Sequence, residues 1–144
     1  MNVFSQDYYS LLKSWYDLKE NLSNQNLKTI CVEVDKFWQQ CPLVNYYLHP
    51  DFIQDWPDPW QLLNDNSYCS YARALGMIYT LWFLNIKTIE LVEASDSDNN
   101  QVVLVLVDEK YILNYWPNTV TQNQISDFVI RKTLNVTFLH DKII

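Results

Sequence analysis

The sequence predicts a single α+β domain over residues 1–144, with N-terminal helices and a buried central helix packed on an antiparallel sheet of about four strands. Two observations predict it. Apolar residues recur at spacings of three and four as far as Leu84, then change to alternating or continuous β-branched runs from Ile86 onward. With 144 residues, 49% hydrophobic and 19% charged, the chain suits one core that needs neither disulfide nor metal to fold. No internal repeat or linker divides it.

Tyr8, Leu11, Leu12, Trp15, Tyr16 and Leu18 mark an amphipathic helix over Ser5 to Asn21, with Ser5 as its cap. After the polar turn Ser23 to Asn26, a second helix follows Leu27, Ile30, Cys31, Val34, Phe37 and Trp38 and stops before Pro42. Asn45 to Asp58 carries three prolines' worth of constraint around its end (Pro50, Pro57, Pro59) and is expected to be extended. Asp58 reads as an N-cap with Pro59 at the first helical position, opening a short helix through Leu63. Tyr68 to Leu84 reads as the longest helix. It is apolar on almost every side, and it holds the chain's only glycine, Gly76, where another backbone is expected to approach closely.

From Lys87 to Glu93 the pattern is strand-like, Ser95 to Asn100 is a polar turn, and Gln101 to Val107 is a continuous apolar run that reads as a central strand. Asp108 to Lys110 turns the chain into Tyr111 to Tyr115, completing a meander that Pro117 ends. A short helix or loop near Ile125 to Ile130 then leads to a last expected strand over Thr133 to Leu139.

Composition excludes several functions. A net charge of −7 with only ten Lys and Arg argues against a nucleic-acid binder. The longest apolar run, Ala72 to Leu84, is too short for a bilayer, and the start MNVFSQDYY has no basic region of a secretory signal. Cys31, Cys41 and Cys69 are odd in number and irregularly spaced, which points to a reducing compartment and, with His49, forms no zinc pattern. No cofactor is expected, since a single glycine rules out a phosphate-binding loop. Six Trp and ten Tyr exceed the usual need of a small core and favour protein contacts. The stiff string Trp56-Pro57-Asp58-Pro59-Trp60 and the segment Tyr46-Tyr47 are the candidate contact residues, with Trp56, Pro57 and Trp60 either docking a partner or covering the end of the central helix.

The order of elements from Tyr68 onward, with Cys69-Ser70-Tyr71-Ala72 opening the central helix and Leu75-Gly76 further along it, resembles the transglutaminase-like branch of the papain-like cysteine fold. In that family the cysteine is a nucleophile, a histidine begins the next long strand and an aspartate closes the strand after it. The resemblance, which covers about Trp56 to Pro117, places Cys69 at the nucleophile position, Gln101 at the histidine position and Asn114 at the aspartate position. Gln101 has no titratable nitrogen, so it cannot take a proton from a thiol, and Asn114 then has no base to orient. The expectation is a degenerate triad and no enzyme activity, with Cys69 filling space at the start of a packed helix. His49, in a loop before a proline, and His140, beside Asp141, are the imidazoles left to approach Cys69 in space.

WPDPWQLL followed by YCSYARALG, in a composition biased toward AT-rich codons, is also similar to small structural proteins of tailed, marine myovirus-type phages. That similarity implies a virion component of the baseplate, tail or neck, with other virion proteins as partners. The alternatives are a thiol-dependent hydrolase or acyltransferase using Cys69, and an acidic protein of the host cytoplasm that binds a host protein.

Overall fold

Local signals set the starts of the helices, and pairing between segments sets the sheet. The computed structural model describes residues 2–44, 47–116, 119–122 and 125–143. Helix α1 (Tyr8–Leu22) begins where the Asp7 carboxylate accepts the Ser10 backbone N–H at 2.8 Å. Asp7, not Ser5, is therefore the cap. Ser5 ends a separate 3-10 turn, Val3–Ser5, that Asn2 caps through the Phe4 N–H. Helix α2 (Leu27–Trp38) starts on Asn26, whose side chain accepts from the Thr29 N–H at 2.8 Å. Helix α3 (Pro59–Asp65) starts on Asp58 with Pro59 in its first turn, as the spacing predicts, and ends on Asn66 in the left-handed conformation.

Helix α4 (Ser70–Phe83) is the buried central helix. It has 14 residues and α1 has 15, so the expectation that it is the longest fails. Tyr68 lies outside it, forming an isolated parallel bridge with Leu43. The segment expected to be extended contains a 3-10 turn, Pro50–Asp55, capped by His49, whose Nδ1 accepts from the Asp51 N–H at 3.1 Å. Pro50 has no N–H to satisfy and a φ already suited to a first helical position, so it starts this turn instead of preventing it.

The strands are β1 (Ile89–Ser95), β2 (Gln101–Val107), β3 (Tyr111–Trp116), β4 (Thr119–Gln122) and β5 (Val129–Leu134). They form one sheet in the order β4-β3-β2-β1-β5, antiparallel at every pairing. The run in β2 is apolar on both faces because both are covered. Val105 and Val107 join the helices with Leu91 and Leu113, while Leu104 and Leu106 form a second cluster with Val92, Ala94 and Ile112, closed by Ile125 and Phe128.

The last strand is not over Thr133 to Leu139. Strand β5 is an edge strand exposed from Val129 to Thr133, so it lacks the apolar signature of a strand. The apolar segment that suggested one runs instead into a 3-10 helix, Thr137–Ile143, where the Leu139 N–H returns to the Val136 carbonyl at 2.9 Å and both side chains are buried.

The helical layer is held at Gly76. A Cβ added there would lie 2.5 Å from the Trp38 ring, a rigid and buried neighbour. Gly76→Ala is therefore expected to lower unfolding free energy by about 1–3 kcal/mol through overpacking, although Ala is the better helix former by about 1 kcal/mol. Urea denaturation checks this, and a variant as stable as the parent would show that the ring has room to move.

Candidate functional site

The three positions suggested by the family resemblance come from the N-terminus of α4, the start of β2 and the middle of β3. Cys69 is the N-cap of α4 in extended conformation, but its side chain caps no N–H. Its thiol, 9% exposed, lies 3.9 Å from the Leu48 carbonyl, to which it donates. Gln101 is the exposed first residue of β2. Together with Ser70, Tyr71, Glu93, Val103, Arg131 and Lys132 it lines a cleft of about 480 Å³ between α4 and the sheet. Cys69 does not line this cleft.

Asn114 is a structural junction. It sits where β3 slips register against β4, between Ile112 and Trp116, with φ 67, a left-handed conformation that Asn tolerates better than most residues. Its backbone N–H is turned inward to the Asp35 carboxylate of α2 at 2.9 Å. Its side-chain amide donates to the Ser70 carbonyl at 3.2 Å and the Val103 carbonyl at 2.9 Å, and accepts from Arg73 Nε at 2.5 Å. Both amide N–H groups and the amide oxygen are committed to holding α4, β2 and β3 together.

Among the described residues, the Cys69 thiol makes its hydrogen bond to the Leu48 carbonyl, and the contacts of the two histidines go elsewhere. His140 packs edge-on against Trp82, at 5.2 Å between ring centroids. Trp82 lies near the far end of α4 from Cys69, about 20 Å away at 1.5 Å per residue. His49 Nδ1 is taken up by the Asp51 N–H and lies 3.7 Å from the Asp51 carboxylate, while its ring stacks near Phe52 at 5.1 Å. The thiol's own hydrogen bond goes to Leu48, the residue before it.

The candidate contact residues separate. Trp56 is 2% exposed and its indole N–H donates to the His49 carbonyl at 3.1 Å. Pro57 is buried, and its carbonyl accepts from the Tyr79 hydroxyl at 2.6 Å. The proline-stiffened string thus clamps the core against α4, and Trp56 and Pro57 offer no docking side chain. Trp60 is half-buried beside Phe83. Tyr47 is half-buried and donates to the Asp65 carboxylate at 2.5 Å, with burial and that carboxylate holding its phenol above the usual range. Tyr46 lies outside the described residues.

Sequence reasoning missed Lys19. Its ammonium lies 3.3 Å from the Trp15 ring centroid, 3.9 Å from Phe83 and 4.4 Å from Tyr16. Trp15 and Lys19 are four apart on one helix, and that spacing was the available signal. Burial brings the amine down to about 8. Among the described residues, no helix is long and apolar enough to cross a membrane, and no group of three or more His, Cys, Asp and Glu is placed to hold a metal ion.

Compared with known proteins, the chain matches no protein-family model and no curated protein.

Burial pushes the Cys31 and Cys41 thiols up to about 12. Unfolded thiols ionise near pH 8.5 and folded ones stay protonated, so the folded state binds more protons above about pH 9 and loses stability as pH rises. Lys19 acts in the opposite sense between about pH 8 and 10.4, because its folded form releases a proton first. The parent protein is expected to lose stability above pH 9. Cys31→Ala should flatten that loss by up to about 1.4 kcal/mol per pH unit, measured as denaturation free energy from pH 7.5 to 10.5. Parallel curves for parent and variant would show that Cys31 ionises as freely in the fold as out of it.

Proposed function

We propose that the protein is a non-catalytic structural or interaction protein, a component of a phage particle at its baseplate, tail or neck. The observation that carries the non-catalytic reading is the use of Asn114, whose two amide N–H groups and amide oxygen each bond to a group of the fold. Gln101 supports it, because an amide at the cleft can recognise a ligand but cannot move a proton. The direction of the Cys69 thiol, toward the Leu48 carbonyl and away from the cleft lining, supports it further. The phage setting rests on the similarity of the WPDPWQLL and YCSYARALG strings to small structural proteins of tailed phages.

Exposed aromatic and aliphatic residues give the protein surface for partners: Tyr9 is 80% exposed, Phe52 60% and Val129 69%. Scattered singly, such residues need no explanation, and the aromatic content expected to serve contacts is largely taken up by the core, where Trp15, Trp38, Trp56, Trp82, Tyr68 and Tyr79 are buried.

Iodoacetamide at neutral pH is expected to alkylate Cys69 no faster than free glutathione. Rapid labelling below pH 6, together with a hydrolytic activity that Cys69→Ser abolishes, would instead establish the thiol enzyme. Mass spectrometry of gradient-purified particles of the encoding phage is expected to find the protein at fixed copy number. A protein found only in the soluble host fraction would replace the virion reading with the host-binding one.

A further inference from the structure

Strand β5 contains an irregularity that changes what the cleft presents. Glu93 of β1 pairs with Lys132, but the next residue, Ala94, pairs with Ile130, leaving Arg131 as an extra residue without a partner across the ladder. In a regular strand, neighbours point to opposite faces. The bulge re-aims one of them, and Arg131 and Lys132 both line the cleft beside Tyr71, Glu93 and Gln101. Neither cation forms an ion pair among the described residues. Lys132 faces Glu93 in register, yet the Glu93 carboxylate accepts from the Tyr71 hydroxyl instead.

Two adjacent unpaired cations therefore converge on a cavity of a protein whose net charge is −7 and which has only ten Lys and Arg. The cleft, about 480 Å³, falls within the about 300–1,000 Å³ usual for ligand sites. Lys132 also borders a second depression of about 310 Å³, where Pro50, Ile53 and Phe138 supply apolar surface beside Asp51 and Gln54. Lys132 therefore stands between a cleft that holds Arg131 and a hollow with an apolar wall.

We propose that this cleft binds an extended acidic segment of a partner protein, its carboxylates pairing with Arg131 and Lys132 and an apolar side chain reaching Ile53 and Phe138. The proposal rests on the interaction reading above and names the chemistry of the partner. Arg131 offers a fork that matches a carboxylate bidentately, and Gln101 offers both a donor and an acceptor to a peptide backbone. A nucleic acid fits poorly, since two cations neutralise too few phosphates to hold a polyanion, whereas they match the one or two carboxylates of a short segment. A second copy pairing through β5 fits poorly as well, because antiparallel self-pairing sets these cations against each other.

The test uses the full chain and a fluorescein-labelled decapeptide alternating Glu with Phe, read by fluorescence anisotropy in 150 mM salt. Saturable binding is expected. It should weaken at least tenfold in Arg131→Ser/Lys132→Ser, hold in the control Lys28→Ser, and weaken at least tenfold when Gln replaces Glu in the peptide. Circular dichroism melts confirm that the variants fold. Absence of saturable binding, or equal binding by the double variant, overturns the proposal. So does displacement of the peptide by inorganic phosphate at equal concentration, which would mark a plain anion site. An increase in self-association of the double variant, without peptide binding by the parent, would assign the two cations to protecting an exposed strand edge. Should the double variant still be retained in purified particles while the peptide fails to bind, the cleft assignment fails and the interaction reading stands.

Discussion

One hydroxyl joins the three longest helices. Thr80 Oγ1 accepts the indole N–H of Trp15 from α1 and that of Trp38 from α2, each at 2.9 Å, and donates to the Gly76 carbonyl one turn back in α4 at 2.7 Å. A threonine hydroxyl has one donor and two acceptor sites, so this group is fully satisfied, and so are two buried indoles that would otherwise lack partners. The missing Cβ at Gly76 lets the Trp38 ring come close enough for the bond to form. Large aromatic surface and an exact hydrogen-bond requirement thus fix how α1 and α2 lie on α4.

With α4 fixed, a second polar junction fixes the sheet to it. The register slip in β3 turns the Asn114 N–H toward Asp35 of α2 while its amide spans α4 and β2. These bonds sit beside the wall of the cleft, at Ser70 and Val103. Asn114 thereby fixes Ser70 and Val103, two residues of the cleft wall, relative to each other. The cleft's electrostatic character comes from another strand, through the bulge at Arg131.

Much of the fold was legible because its signals are local. Asp58-Pro59 marked the start of α3, the β-branched run marked β2 as central, and a lone glycine within an apolar helix marked close packing. What stayed hidden depends on pairing between distant segments. An edge strand such as β5 carries little apolar patterning, and the short apolar segment that ends at Leu139 read as a strand although its end is 3-10 helical. The Trp56 string looked like a docking patch, since proline stiffness is the same whether a tryptophan points inward or outward. For the site, the lack of a base at Gln101 could be read directly. The pairing of Arg131 with Lys132 in one cleft could not, because a bulge is a property of register and not of composition.

The hydroxyl of Thr80 is tested most directly by comparing Thr80→Val with Thr80→Ser in equilibrium denaturation. Valine keeps the shape and removes the hydrogen bonds, leaving two buried N–H groups unpaired at about 1–3 kcal/mol each. Serine keeps the hydroxyl and loses a methyl group, worth about 1 kcal/mol. The account predicts that Thr80→Val is the less stable variant by at least about 1 kcal/mol. A valine variant as stable as the serine variant, or more so, would contradict it.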